Sequence, residues 1–120
     1  MKKLILMVIV AIFVLSVMSC CLSRGTCTVV FDNYTNLWID CYVNNSYIGE
    51  VSPWGYYYVY DVPAGSVTVG GIFDGYYEGY YYYITWGPLT YEVPKDQALW
   101  VYLDLYSCIE GEAKIEVEIR

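Results

Sequence analysis

Tyrosine, cysteine and carboxylate are the side chains here that could do chemistry, and histidine is missing. The 120 residues hold 16 Tyr, 5 Cys, 13 Asp plus Glu and no His. Without His there is no Ser-His-Asp triad, no Cys-His pair and no His-ligated metal. Cys-x-x-Cys spacing is also absent, so no zinc site is expected, and Asp32-Asn33 and Asp74-Gly75 read as turns without calcium-loop spacing. Glu110/Glu112 and Glu116/Glu118 stand at i, i+2, which puts each pair on one face of a strand. A glycosidase holds its two carboxylates about 5–9.5 Å apart in a cleft. These pairs are interrupted by Lys114 and read as solvated charges. The sequence therefore calls for no catalytic residues, no metal and no cofactor.

What it offers instead is aromatic surface. Tyr56-Tyr57-Tyr58-Val59-Tyr60 and Tyr76-Tyr77-Glu78-Gly79-Tyr80-Tyr81-Tyr82-Tyr83 would put rings on both faces of their strands. A sandwich strand needs only one apolar face. Tyr56, Tyr58, Tyr60, Tyr80, Tyr82, Trp54 and Trp86 are thus candidates for a binding surface. Such a surface could take an envelope protein, or stack on the sugar rings of a polysaccharide with Asp61, Asp74 and Glu78 near the hydroxyls. The competing use is cross-strand bracing, each pair worth roughly 0.2–1 kcal/mol. Parity alone does not decide which way Tyr56, Tyr58 and Tyr60 point. Nucleic acid is an unsuitable partner, because phosphates repel a chain of net charge −7.

The N-terminus reads as an export signal. Met1-Lys2-Lys3 is positive, and Leu4 to Met18 is a 15-residue uncharged run. As a helix it would span about 22 Å, short for a bilayer core of about 30 Å. Val17-Met18-Ser19-Cys20 then resembles the lipobox of bacterial lipoproteins, with Met18 bulkier than usual. The resemblance implies that Cys20 receives a diacylglyceryl group, that the signal is cut before it, and that the new N-terminus is acylated. Two or more chains on one residue give stable anchoring where one does not. On this reading residues 1–19 are the signal, 20–25 a short lipidated tether, and 26–120 one folded domain. The mature 101 residues would carry 4 basic and 13 acidic groups, and their partner would be the membrane, through lipid alone. The implied location is the cell envelope, on the outer or the cytoplasmic membrane, facing away from the cytoplasm. The alternative is a secreted domain held by disulfides.

All five cysteines lie after the signal. With Cys20 lipidated, Cys21, Cys27, Cys41 and Cys108 remain, and three pairings are open. An oxidising compartment favours one or more bridges. Cys27 and Cys41 share core-facing parity on neighbouring strands, and Cys21–Cys108 or Cys41–Cys108 are further possibilities.

Period-2 alternation dominates everything after Cys20. Strands are expected over Thr26–Phe31, Leu37–Val43, Tyr47–Val51, Tyr56–Val62, Ser66–Phe73, Gly79–Trp86, Leu89–Val93, Ala98–Ser107 and Ala113–Arg120. Turns are expected at 32–36, at Asn44-Asn45, at Asp74-Gly75 and at Gly87-Pro88. In the last strand Ala113, Ile115, Val117 and Ile119 alternate with charges, as suits an edge. Nine short strands with frequent turns predict an all-β fold, a single antiparallel β-sandwich of immunoglobulin-like kind.

Asp40 to Val51, followed by Val62-Pro63-Ala64-Gly65-Ser66-Val67-Thr68-Val69, resembles PEGA-type domains. These are small β-sandwich modules of bacterial surface proteins. The shared pattern is a strand, a hairpin with a small polar pair, a returning apolar-Gly-x-apolar strand and a Pro-Ala-Gly turn. It covers about residues 26–73. The resemblance implies a non-enzymatic role in the envelope and supplies no catalytic residues.

Overall fold

The computed structural model describes residues 25–106 and 108–120. The signal, Cys20 and Cys21 lie outside the described residues. The chain folds as β1 (Thr26–Asn33), β2 (Ile39–Val43), β3 (Ser46–Val51), β4 (Tyr56–Pro63), β5 (Gly65–Tyr77), β6 (Tyr80–Val93), β7 (Ala98–Leu103), β8 (Glu112–Ala113) and β9 (Glu116–Ile119). Two sheets result, a four-stranded one in the order β4-β1-β7-β9 and a five-stranded one in the order β3-β2-β5-β6-β8.

Alternation builds the core between them. Val29, Phe31, Leu99, Val101 and Leu103 project from the four-stranded sheet. They meet Ile39, Cys41, Val67, Val69 and Trp86 from the other. All of these are buried. A buried indole needs a partner for its N–H, and Trp86 Nε1 donates to the Asp104 carbonyl at 2.8 Å. The all-β sandwich expected from the strand pattern is the fold observed. Two pairings, β1 with β7 and β6 with β8, are parallel, so the sheets are mixed. A parallel neighbour comes from a distant stretch of chain, and local alternation carries no sign of it.

The turns decide where the sheets end. Asn44 and Asn45 both have positive φ, 50° and 64°, and close the expected β2–β3 hairpin. Asp74-Gly75 does not turn. Glu78 and Gly79 do, with φ of 52° and 85°. Moving the turn there pairs Tyr76 with Tyr81 and Tyr77 with Tyr80 across the hairpin. Gly87-Pro88 does not end a strand either. Gly87, at φ 70°, sits in a shift of the β5–β6 register, and β6 runs on as one strand. The expected last strand splits: β8 joins the five-stranded sheet, and β9 forms the edge of the other.

The sandwich has two distinct ends. Gly25, where the described chain begins, accepts from the Ala64 N–H at 3.1 Å, and Asp96 N–H donates to Thr26 at 2.9 Å. Asn33 lies at the far end and is buried. Its Nδ2 donates to the carbonyls of Leu37 (2.7 Å) and Ser52 (3.0 Å), and its Oδ1 accepts from the Thr35 N–H (2.9 Å) and hydroxyl (2.7 Å). This one amide ties the 34–38 loop to the turn before β4. The β5–β6 hairpin emerges at the same end, where the Asn36 amide bonds the Tyr77 hydroxyl.

Cys27, Cys41 and Cys108 are free thiols. No bridge joins these three, and between Cys27 and Cys41 the reason is distance. Cys27 pairs with Val62 near the start of β1. Cys41 pairs with Gly71, which packs beside Leu103, the neighbour of Asn33 at the other end of that strand. Six residues of strand span about 20 Å, far beyond the ~4.4–6.8 Å between Cα atoms that a disulfide allows. Burial pushes both thiols up, Cys41 to about 12.

Candidate functional site

The outward face of the four-stranded sheet carries a group of aromatic rings in mutual contact. β4, β1 and β7 lie side by side, and their register sets each ring. Val30 is flanked by Tyr58 and Trp100, and Asp32 by Tyr56 and Tyr102. The same alternation that buries Leu99, Val101 and Leu103 turns Trp100 and Tyr102 outward.

The rings lean on one another. Tyr56 and Tyr58 approach Trp100 edge-on, with centroids at 6.1 and 6.3 Å. Tyr58 and Tyr60 run parallel at 6.1 Å, and Tyr34 tilts over Tyr102 at 5.9 Å. Arg120 places its guanidinium 4.2 Å from the Trp100 centroid, an attraction between cation and ring quadrupole. Glu118 accepts from Arg120 at 3.4 Å and from the Tyr102 hydroxyl at 2.9 Å. These two bonds hold its carboxyl below the usual range, and the same bond pushes the Tyr102 phenol up.

Beneath the rings lies Asp32, only 5% exposed. Burial raises its pKa, and a hydrogen bond from Tyr34 and the charge of Arg120 partly offset the rise. The surface is therefore apolar in its rings, polar at its hydroxyl tips, and negative underneath.

The candidate residues from the sequence divide four ways. Tyr56, Tyr58 and Tyr60 stand together here, at 57%, 47% and 68% exposure. The intervening Tyr57 turns inward, and its hydroxyl donates to the Ile48 carbonyl at 2.7 Å. Tyr80 and Tyr82 are exposed too, but on the β5–β6 hairpin. Trp54 is exposed in the turn before β4 at the far end of the sandwich. Trp86 is no surface residue: it is the largest fully buried side chain, and its place in the binding set is corrected to the core. Its position in β6, two residues after the buried Ile84, gives it the inward parity. Tyr34, Trp100, Tyr102 and Arg120 belong to the face and were not among the candidates. For Trp100 and Tyr102 the signal was present, because they alternate with Leu99, Val101 and Leu103. Arg120 gave none.

A concavity lies on the five-stranded sheet. It holds about 220 Å³ and is lined by Tyr42, Asn45, Gly70, Ile72, Thr85 and Pro88 among others. Gly70 keeps it open: a Cβ there would stand 3.2 Å from the Trp86 carbonyl.

No family model matches the chain, and no curated protein does. Among solved structures, the N-terminal domain of AlgF from P. aeruginosa superposes with a TM-score of 0.51. The match covers 80% of this chain and 94% of that one at 17% identity, and at that identity what the two share is the fold.

Proposed function

We propose that the chain is a lipid-anchored, non-catalytic protein of the cell envelope whose sandwich acts as a protein-interaction module. The contact surface is the outward face of β4, β1 and β7. The observation that carries this reading is the joint exposure of Tyr56, Tyr58 and Tyr60 around Trp100. Contiguous exposed apolar patches mark interaction sites, and Tyr, Trp and Arg are the residues that dominate them. The anchor rests on the lipobox-like Val17-Met18-Ser19-Cys20, and the module reading agrees with the PEGA-like pattern. Gly25 lies at the end opposite Asn33, so a lipid on Cys20 would leave the hairpin end facing outward.

The rings favour a protein partner over a flat sugar. Tyr56 and Tyr58 meet Trp100 edge-on, and one Trp100 face is covered by Arg120. Photo-crosslinking in cells tests the surface. A benzophenone at Tyr58 should give a discrete adduct with an envelope protein, and the same probe at Thr90 on the other sheet should not. Equal or absent labelling counts against the reading. Palmitate incorporation tests the anchor: Cys20→Ser should abolish the label, and retention would exclude Cys20 as the lipidated residue.

A second reading, glycan binding, draws on Trp38 and Trp54. They are 55% and 65% exposed, and neither ring pairs with another aromatic among the described residues. Affinity electrophoresis on envelope polysaccharides decides it, since retardation that Trp54→Ala abolishes would support glycan over protein.

A further inference from the structure

The outward face of the five-stranded sheet has a ring-sized dent, and one missing side chain makes it. Val69 is fully buried, and a Cβ on Gly71 would point inward at Ile39 and Trp86, so Gly70 between them is the outward position. Gly70 faces Tyr42 on β2. On its other side the β5–β6 register shifts, and Pro88 comes close: a Cβ on Gly70 would stand 3.6 Å from the Pro88 Cα. The groove so formed has Tyr42 and Pro88 as walls, Ile72 and Thr85 at one end and Asn45 at the other. Tyr47 meets the Tyr42 ring edge-on at 5.7 Å and backs that wall.

A row of side chains crosses the sheet beside the dent, with carboxylates at both ends. Glu50, Asp40, Ile72, Thr85 and Glu112 pair in turn across β3, β2, β5, β6 and β8. Their chain neighbours Val51, Ile39, Cys41, Ile84, Trp86 and Ala113 are buried, so the row turns outward. Asp40 and Glu50 stand directly opposite each other, and like charges so placed cost stability that a cation between them restores. After burial, these two charges are what pushes the Tyr47 phenol up. Lys114 follows β8, three strands away from Asp40.

We infer that this groove binds a small aromatic cation, with its ring over Gly70 between Tyr42 and Pro88 and its ammonium group at Asp40 and Glu50. Volume sets the ring. Benzene fills an engineered cavity of about 150 Å³, and drug-sized ligands take about 300–1,000 Å³. At about 220 Å³ the groove takes one ring or two fused rings. Charge sets the rest of the ligand. Asp40 is the diagonal cross-strand neighbour of Gly70, roughly 7–8 Å away, so a short alkylamine arm leads from the ring to the carboxylates. An aromatic acid of the same size meets two like charges there. The site lies on the sheet opposite the Tyr58 surface and does not depend on what that surface contacts.

Calorimetric titration of the full chain with three indoles tests the site. Tryptamine carries an ammonium group, indole no charge, and indole-3-acetate a carboxylate. Tryptamine should bind at least tenfold tighter than indole-3-acetate, with indole between them. No binding by any of the three, or equal binding by all, overturns the inference. The double variant Asp40→Asn, Glu50→Gln changes only side chains on the outward face. It should remove the advantage of tryptamine over indole and leave the affinity for indole unchanged, and an advantage that survives overturns the inference. Tyr42→Ala should weaken tryptamine at least tenfold while the near-ultraviolet signal of buried Trp86 is kept. Tyr56→Ala on the other sheet should leave tryptamine binding as it was. The reverse pattern would put the cation on the four-stranded face and also overturns the inference.

Discussion

The guanidinium of Arg120 lies 4.2 Å from the centroid of Trp100, and Glu118 holds it there at 3.4 Å. Trp100 of β7, Glu118 of β9 and Arg120 just after it thus close the β9 side of the aromatic face. Tyr102 joins them, donating to Glu118 at 2.9 Å and accepting from Arg120 at 3.2 Å. The indole thus has Tyr56 and Tyr58 nearly perpendicular to it and the cation over its ring.

Arg120→Gln should uncover that ring without unfolding the sandwich. Arg120 and Glu118 are both exposed, and exposed ion pairs contribute little to stability. In a Trp38→Phe, Trp54→Phe background, which removes the two exposed indoles, the expected result is greater acrylamide quenching of tryptophan fluorescence, with Tm moving by no more than about 2 °C. Trp86 is buried and serves as the unquenched reference. Unchanged quenching would mean that Arg120 does not shield Trp100 in solution.

Asp32→Asn should stabilise the fold at neutral pH. Burial raises the Asp32 pKa, so the folded state holds the proton more tightly than the unfolded chain. That contribution is fully present below the ordinary value of 3.8 and is lost as pH climbs from there through the raised folded value. Above this window the buried charge is a net cost, which the amide removes while still accepting from Tyr34. Thermal melts of both proteins should differ by a few degrees at pH 7 and converge near pH 3. A variant less stable at pH 7 would show that the charge is better paired than its burial indicates.

How far the sequence reveals this face depends on the residue. Asn44-Asn45 announces its own hairpin, because few residues other than Gly tolerate positive φ at both turn positions. Leu99, Val101 and Leu103 alternate with Trp100 and Tyr102, so their faces are legible. Tyr56 to Tyr60 is not, since an aromatic at nearly every position leaves parity without contrast. What settles it is tertiary: Tyr57 fits over Gly49, and Val59 pairs with Val29. Asp74-Gly75 misleads for a related reason. It has turn chemistry, but the cross-strand tyrosine pairs are won by turning at Glu78-Gly79. Trp86 misleads because a tryptophan after a tyrosine run looks like more surface, whereas its two-residue step from Ile84 gives its true side. The parallel pairing of β1 with β7 joins segments some seventy residues apart, beyond any local signal.

Gly49→Ala tests the contact that orients the Tyr56–Tyr60 strand. Gly49 has φ of 150°, and an added Cβ would overlap the Tyr57 hydroxyl end of the ring. Either the ring must leave, breaking its bond to Ile48, or β3 must shift. Strain and a lost part-buried bond together should cost roughly 2–4 kcal/mol in urea unfolding. Tyr57→Leu in the same chain removes the overlapping atoms, so the double variant should be more stable than the sum of the two single losses. Strict additivity would place the damage elsewhere than at this contact.

The free thiols should differ in reactivity according to their burial. Cys41 is fully buried, and its thiol is pushed up to about 12, mainly by that burial, with the charges of Asp40 and Glu50 adding to the rise. The thiolate is the species that alkylates, and at pH 8 a group titrating near 12 is about 10⁻⁴ ionised. Cys27 is buried in the same core and raised by the same cause. Cys108, half-buried, lies outside the regular strands. Iodoacetamide at pH 8, followed by peptide mass spectrometry, should modify Cys108 at least 100-fold faster than Cys41, with Cys27 also protected. Denaturant should abolish the difference. Cys41 reacting at the Cys108 rate in the native protein would mean that β2 opens from β3 and β5, and the groove beside Tyr42 would then be no fixed feature of the sheet.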